Sequence, residues 1–144
     1  MSAAFLIDAS VAVKWVVDED GTQAALALRS RPLAAPDLLV AECANILWKK
    51  VRRGEMAEQE AALAARLLAR ADVELMPMRP FLEAATRLAV CLDHPAYDCV
   101  YLAMAEAEDL RLVTADERLL SKVRRSAQGR LADRMVGLRE IAPH

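Results

Sequence analysis

The sequence predicts an α/β fold: a single domain built on a mostly parallel sheet of about four to five short strands, with helices on both faces. Three observations predict it. Short continuous apolar runs, of which Ala4-Phe5-Leu6-Ile7 is the clearest, have the pattern of strands buried on both faces. Helical stretches separate these runs, as parallel pairing of successive strands requires. The 144 residues carry only 4 Gly and 6 Pro, scattered, with no tract that would serve as a linker, so residues 1–144 are expected to form one unit.

The elements follow in order. Phe5-Leu6-Ile7 ends at Asp8, and a helix with Ser10 as its expected cap turns Val11, Val13, Trp15 and Val16 mostly inward before Asp18-Glu19-Asp20-Gly21 stops it. Thr22 to Arg29 is a second, Ala-rich helix, and Leu33-Ala34-Ala35 a minimal strand ended by Pro36. Asp37 is expected to cap a long helix reaching about Arg53, with Leu38, Ala41, Asn45 and Trp48 at helical spacing and Gly54 as its stop. Glu58 to Arg70 is helical, and Val73-Glu74-Leu75-Met76 is a third strand closed by Pro77. Pro80 and Pro95 each suit the first turn of a helix, the first running to Cys91 and the second to Glu108. Leu110 to Val113 is a fourth strand, Asp116 to Arg124 a helix, and Arg134 to Leu138 a short fifth strand.

Composition excludes several classes of protein. With 56% hydrophobic and 28% charged residues the chain is not disordered, and at this length it can bury roughly 70% of its unfolded surface. The longest stretch without a charge is Gly21 to Leu28, far short of the roughly 20 residues of a membrane span. Met1 to Asp8 lacks a basic leader region, so a cytoplasmic location is expected. Cys43, Cys91 and Cys99 show no C-x-x-C spacing and read as reduced core thiols. The net charge of -2 hides an asymmetry. Arg118 to Arg139, which includes Lys122, Arg124 and Arg125, holds seven basic residues and a single acid, and Lys49, Lys50, Arg52 and Arg53 form a second cluster. These are either phosphate contacts or solvated helix faces.

Four carboxylates break otherwise apolar patterns, and an ionised carboxylate is rarely buried unless it is paired or holds a metal. Asp8 terminates the first strand, at the sheet edge where α/β sites form, and capping the next helix is the alternative reading. Glu42 lies on a helix with little polar face, and Asn45 offers a second oxygen three residues on. Asp98 sits in the most apolar helix, and no Lys or Arg lies between Arg87 and Arg111, so a shared cation is expected in place of a local ion pair. Asp116 follows the fourth strand, where a helix cap is a strong competing role. Hard oxygen donors without a matching His or Cys set favour Mg2+ or Mn2+ over Zn2+. His94, in a turn before Pro95, and His144, at the end, are expected at the surface. There is no G-x-S-x-G elbow, Walker A loop or G-x-G-x-x-G fingerprint.

Four ordered segments carry a family resemblance: Leu6-Ile7-Asp8-Ala9-Ser10, the run from Pro36 to Trp48 containing Glu42 and Asn45, Tyr97 to Ala103, and Val113 to Leu119. Over nearly its full length the chain resembles PIN-domain ribonucleases, and specifically VapC-like toxins of type II toxin–antitoxin pairs. The resemblance implies that Asp8, Glu42, Asp98 and Asp116 take the family's acidic metal-binding and catalytic positions, supported by Ser10, Asn45 and Thr114. It also implies Mg2+- or Mn2+-dependent endoribonuclease activity, a homodimer, and a VapB-like antitoxin that covers the active site. RNA binding to an acidic pocket needs a basic rim, for which Lys49, Lys50, Arg52, Arg53, Lys122, Arg124 and Arg125 are candidates. Leu26, Leu28, Ala61, Leu63, Ala64, Leu67 and Leu68 supply more apolar helix surface than one core stripe requires, either as a groove for a partner helix or as core.

Two other readings compete. A haloacid-dehalogenase-type phosphatase also begins from an acid at the end of strand one, but expects a second acid where Ser10 stands. A non-catalytic PIN-like module that binds RNA or protein without cutting is opposed by the presence of all four acids.

Overall fold

The computed structural model describes residues 3–126 and 128–141. In chain order its elements are β1 (Phe5–Ile7), α1 (Ala9–Ala12, continued as a 3-10 turn over Val13–Trp15), α2 (Thr22–Leu28), β2 (Leu33–Pro36), α3 (Leu38–Arg52) and α4 (Glu58–Leu68). Then come β3 (Glu74–Met76), a 3-10 turn at Arg79–Phe81, α5 (Leu82–Leu92), α6 (Ala96–Glu108), β4 (Arg111–Thr114), α7 (Glu117–Arg125), α8 (Gly129–Ala132) and β5 (Met135–Gly137). A last 3-10 turn covers Leu138–Glu140.

The strands form one five-stranded sheet in the order β3-β2-β1-β4-β5, and each neighbouring pair is parallel. Its register explains the two-sided core. Ala34, Leu6, Leu112 and Met135 stand in one row across the sheet and enter the cluster that contains Leu88, Tyr101, Leu102 and Met104. The next row, Ile7, Val113 and Val136, points the other way, against Val11, Val13, Ala25 and Leu39. Side chains alternate at every strand position, so two consecutive apolar residues are needed to bury both faces, and the short runs provide them.

The chain winds outward from β1 to β3 and then crosses back to place β4 on the other side of β1. The reversal makes the carboxyl ends of β1 and β4 the topological switch point, where α/β sheets place their sites. Asp8 follows β1 directly, and Thr114 is the last residue of β4.

Local details differ from the sequence expectations at several points. The cap of α1 is Asp8, which accepts from the Ser10 backbone N–H, and the Ser10 hydroxyl donates to the same carboxylate oxygen. Asp37 precedes α3 without a side-chain cap; its backbone N–H instead donates to Met76, joining the ends of β2 and β3. Cys43 and Cys99 are buried, but Cys91 is exposed, because the inward face of α5 consists of Ala85, Leu88 and Leu92. α8 was not expected, since four residues starting at Gly show no helical periodicity. At Gly54 the φ of +75° ends the α3 segment as predicted. His144 lies outside the described residues.

Candidate active site

Asp8 is 7% exposed, and both of its carboxylate oxygens are engaged. Oδ1 accepts from the Ser10 hydroxyl at 2.5 Å and from the Ser10 backbone N–H at 3.1 Å, while Oδ2 accepts from the Thr114 hydroxyl at 2.5 Å. The hydroxyls accept in turn: Ala115 N–H donates to Ser10 Oγ at 2.9 Å, and Asp116 N–H donates to Thr114 Oγ1 at 3.0 Å. The ends of β1 and β4 are thus tied together around one carboxylate. Burial pushes the Asp8 carboxyl up from 3.8 to about 6; the Ser10 and Thr114 bonds pull it down, and the negative charges of Asp98 and Glu42 push it further up.

Glu42, half-buried on α3, is also raised, first by burial, against the lowering effect of the nearby Tyr101 hydroxyl, and then by the charge of Asp98. Asp8, Glu42 and Asp98 therefore sit within electrostatic reach of one another, brought from the end of β1, the middle of α3 and the first turn of α6. Tyr101 is 1% exposed, and its hydroxyl has no hydrogen-bond partner among the described residues. Burial, followed by the charge of Glu42, keeps that hydroxyl protonated.

Asp116 stands apart from this trio. It is exposed and caps α7, its Oδ1 accepting from the backbone N–H groups of Arg118 and Leu119 at 3.0 and 3.1 Å. Its link to the other acids runs through Thr114, which its N–H meets. Asn45 is exposed on α3 and makes no side-chain hydrogen bond among the described residues.

Asp98 departs from expectation. His94 Nε2 meets Asp98 Oδ2 at 2.6 Å, so a local partner exists four residues upstream, and the His94 side chain, at 15% exposure, is covered and not on the surface as its turn position suggested. The basic clusters also divide. Lys50 is bound to Glu19 at 2.7 Å, Arg52 lies over the Trp48 ring, Arg124 forks onto Glu140, and Lys122 donates to the Asp93 carbonyl at 2.6 Å. Lys49, Arg53 and Arg125 form no ion pair among the described residues.

The donors suit a hard divalent cation: carboxylates that repel one another, hydroxyls in support, and an orphaned Tyr101 hydroxyl beside Glu42. Among the described residues, no three His, Cys, Asp or Glu side chains are drawn together closely enough to enclose an ion. Asp8, Glu42 and Asp98 are the side chains such an ion would draw in, with Asp116 at the rim.

Comparison with known proteins agrees with this architecture. The chain is 33% identical over 121 residues to Ribonuclease VapC3 of Pyrobaculum aerophilum, covering 81% of this chain and 92% of that protein. It is 34% identical over 93 residues to Exonuclease VapC9 of the same organism, covering 64% and 68% respectively. The crystal structure of PAE2754 from Pyrobaculum aerophilum superposes with a TM-score of 0.70 at 26% identity, over 96% of this chain and 93% of that one. The PIN domain model matches residues 5–126, a span that holds β1, β4 and all four acids. With that span matched, the chain belongs to the PIN domain family.

Proposed function

We propose that this protein is a divalent-metal-dependent endoribonuclease acting as the toxin of a toxin–antitoxin pair. The observation that carries the reading is the trio Asp8, Glu42 and Asp98, three carboxylates from separate elements at the β1/β4 switch point, where the charges of Glu42 and Asp98 push the Asp8 carboxyl up and that of Asp98 pushes Glu42 up. The names of the two relatives, a ribonuclease and an exonuclease, support nuclease chemistry.

Asp8 and Asp98 are the residues that would hold the ion, with Glu42 beside them and Asp116 and Asn45 as outer supports. A bound Mg2+ or Mn2+ supplies a Lewis acid for the phosphate and lowers the cost of deprotonating water. The chain's own work is positional. Ser10 and Thr114 fix the Asp8 carboxylate, and Glu42, with its raised carboxyl, is suited to accept a proton from attacking water at the half-buried mouth. Lys49, Arg53 and Arg125 supply positive charge for the RNA backbone, in place of the wider set in which Lys50 and Arg124 are ion-paired, Arg52 lies over Trp48 and Lys122 is held by the Asp93 carbonyl.

Two apolar faces fit the partners. A groove of about 280 Å3 between α3 and α4 is lined by Trp15, Leu39, Val40, Ala44, Leu68 and Leu75, with Leu63 and Leu67 exposed nearby, and it suits the amphipathic helix of a VapB-like antitoxin. Of the residues proposed for this role from sequence, Leu28 and Ala64 are core. Leu82, Val90 and Tyr97, all more than two-thirds exposed on α5 and α6, form the face for a homodimer. No helix among the described residues is long and apolar enough to cross a membrane, and action on cytoplasmic RNA is part of the proposal.

A circular RNA tests the mode of cutting. Linearisation of the circle by the purified protein with Mn2+ is the expected result; attack on the linear form alone would reassign it as an exonuclease.

A further inference from the structure

The chain commits one oxygen of Asp98 to His94. Asp98 lies in the first turn of α6, whose cap position is Pro95, a residue without a side-chain cap bond. His94 reaches over this turn, and its Nε2–H donates to Asp98 Oδ2 at 2.6 Å; Asp98 forms no other side-chain hydrogen bond among the described residues, which leaves Oδ1 available. The turn carrying His94 is itself braced. Asp93 adopts a left-handed conformation at φ 51°, His94 N–H donates to the Ala89 carbonyl at 3.1 Å, and Lys122 Nζ reaches from α7 to the Asp93 carbonyl at 2.6 Å. A left-handed non-glycine residue costs free energy and persists where its surroundings hold it. The imidazole is also mostly covered, so little of its conformational freedom remains to be lost.

We infer that His94 is a positioning residue for the carboxylate site: by holding Oδ2 of Asp98 it fixes that side chain's rotamer and presents Oδ1 to the divalent cation. This rests on the metal-site reading above and deepens it. Ligating carboxylates are commonly oriented by such outer hydrogen bonds, whose loss weakens metal affinity about 10- to 100-fold. Asp8 is held more completely, Oδ1 by Ser10 and Oδ2 by Thr114. Each of the two acids nearest the proposed ion thus has an oxygen tied down by a neighbour that is not itself an acid.

The test is Mn2+ binding to the metal-stripped, full-length protein by isothermal titration calorimetry, for wild type, His94→Ala, His94→Asn and His94→Gln. Circular dichroism establishes that each variant is folded. A Gln amide places an N–H near the position of Nε2, whereas the shorter Asn amide does not reach it. The expected result is affinity weakened about 10- to 100-fold in the Ala and Asn variants and restored to within a few-fold of wild type by Gln. Wild-type affinity in His94→Asn, or equal loss in Asn and Gln, would overturn the role of His94; the Asn and Gln pair decides the matter even if His94→Ala fails to fold. Absence of Mn2+ binding by the wild type would instead overturn the metal-site reading, and the role of His94 with it.

Discussion

The Thr114 hydroxyl donates to Asp8 Oδ2 at 2.5 Å, joining two strand ends that are 106 residues apart in sequence. Thr114 is 1% exposed, so water cannot replace the bond if it is lost. Thr114→Val keeps the shape and removes the donor, leaving a buried carboxylate oxygen unsatisfied. A loss of about 1–3 kcal/mol in stability is expected, together with weaker Mn2+ binding, and Thr114→Ser is expected to retain both. Chemical denaturation of the three proteins checks this.

Asp8 makes the metal-free protein sensitive to pH in a direction unusual for an aspartate. Its folded value of about 6 lies above the ordinary 3.8, so the native state binds the extra proton. The stability that protonation contributes is complete below 3.8 and is lost as pH rises through about 6. Asp8→Asn stays neutral throughout. In EDTA it is expected to exceed wild type at pH 7 by on the order of 2–3 kcal/mol and to lose that advantage toward pH 4. Melting temperatures across this range measure it, and a gap independent of pH would contradict the placement of Asp8.

Asp116 separates a structural role from a chemical one. As the cap of α7 it accepts two backbone N–H bonds, which Asn can also accept and Ala cannot. Asp116→Ala is expected to cost about 0.5–2 kcal/mol in stability, whereas Asp116→Asn leaves stability nearly unchanged. If Asp116 also acts at the rim of the site, both variants cut RNA more slowly, and a rate assay beside thermal denaturation distinguishes the effects.

Arg124 and Arg125 are neighbours with different work. Arg124 forks onto Glu140, and this bond holds the Glu140 carboxyl down at about 2 from its ordinary 4.5. The stability from that pair is present above 4.5 and is lost as pH falls through about 2. Arg124→Ala is therefore expected to lower the melting temperature slightly at neutral pH and to leave the salt dependence of RNA binding unchanged. Arg125→Ala is expected to do the reverse, raising KM for RNA and flattening its dependence on salt.

How far the sequence reveals this site depends on how local each contact is. Asp8 was legible because a charge ends a wholly apolar strand, and the parallel sheet follows from paired apolar residues such as Leu6-Ile7 and Leu112-Val113. Glu42 and Asp98 stood out as acids on apolar helices, but their approach to one another depends on how α3 and α6 pack about the sheet, which periodicity does not encode. His94 looks like a surface residue in the sequence because its reach to Asp98 depends on the left-handed Asp93 and on Lys122, 29 residues from the carbonyl it holds. Its spacing of four from Asp98 was the one available signal. Tyr101 reads as an ordinary core aromatic, and only burial of its unpaired hydroxyl marks it. The division of the basic residues into paired and unpaired groups is likewise tertiary: Lys50 finds Glu19, 31 positions away.

Metal-dependent RNA cutting by these acids is decided by cleavage of total cellular RNA by purified, partner-free protein in Mg2+, Mn2+ or EDTA, beside Asp98→Asn. Discrete fragments that require the metal and disappear in the variant are expected. Undiminished cutting by Asp98→Asn, or no metal-dependent cutting by a folded wild-type protein, would contradict the proposed function.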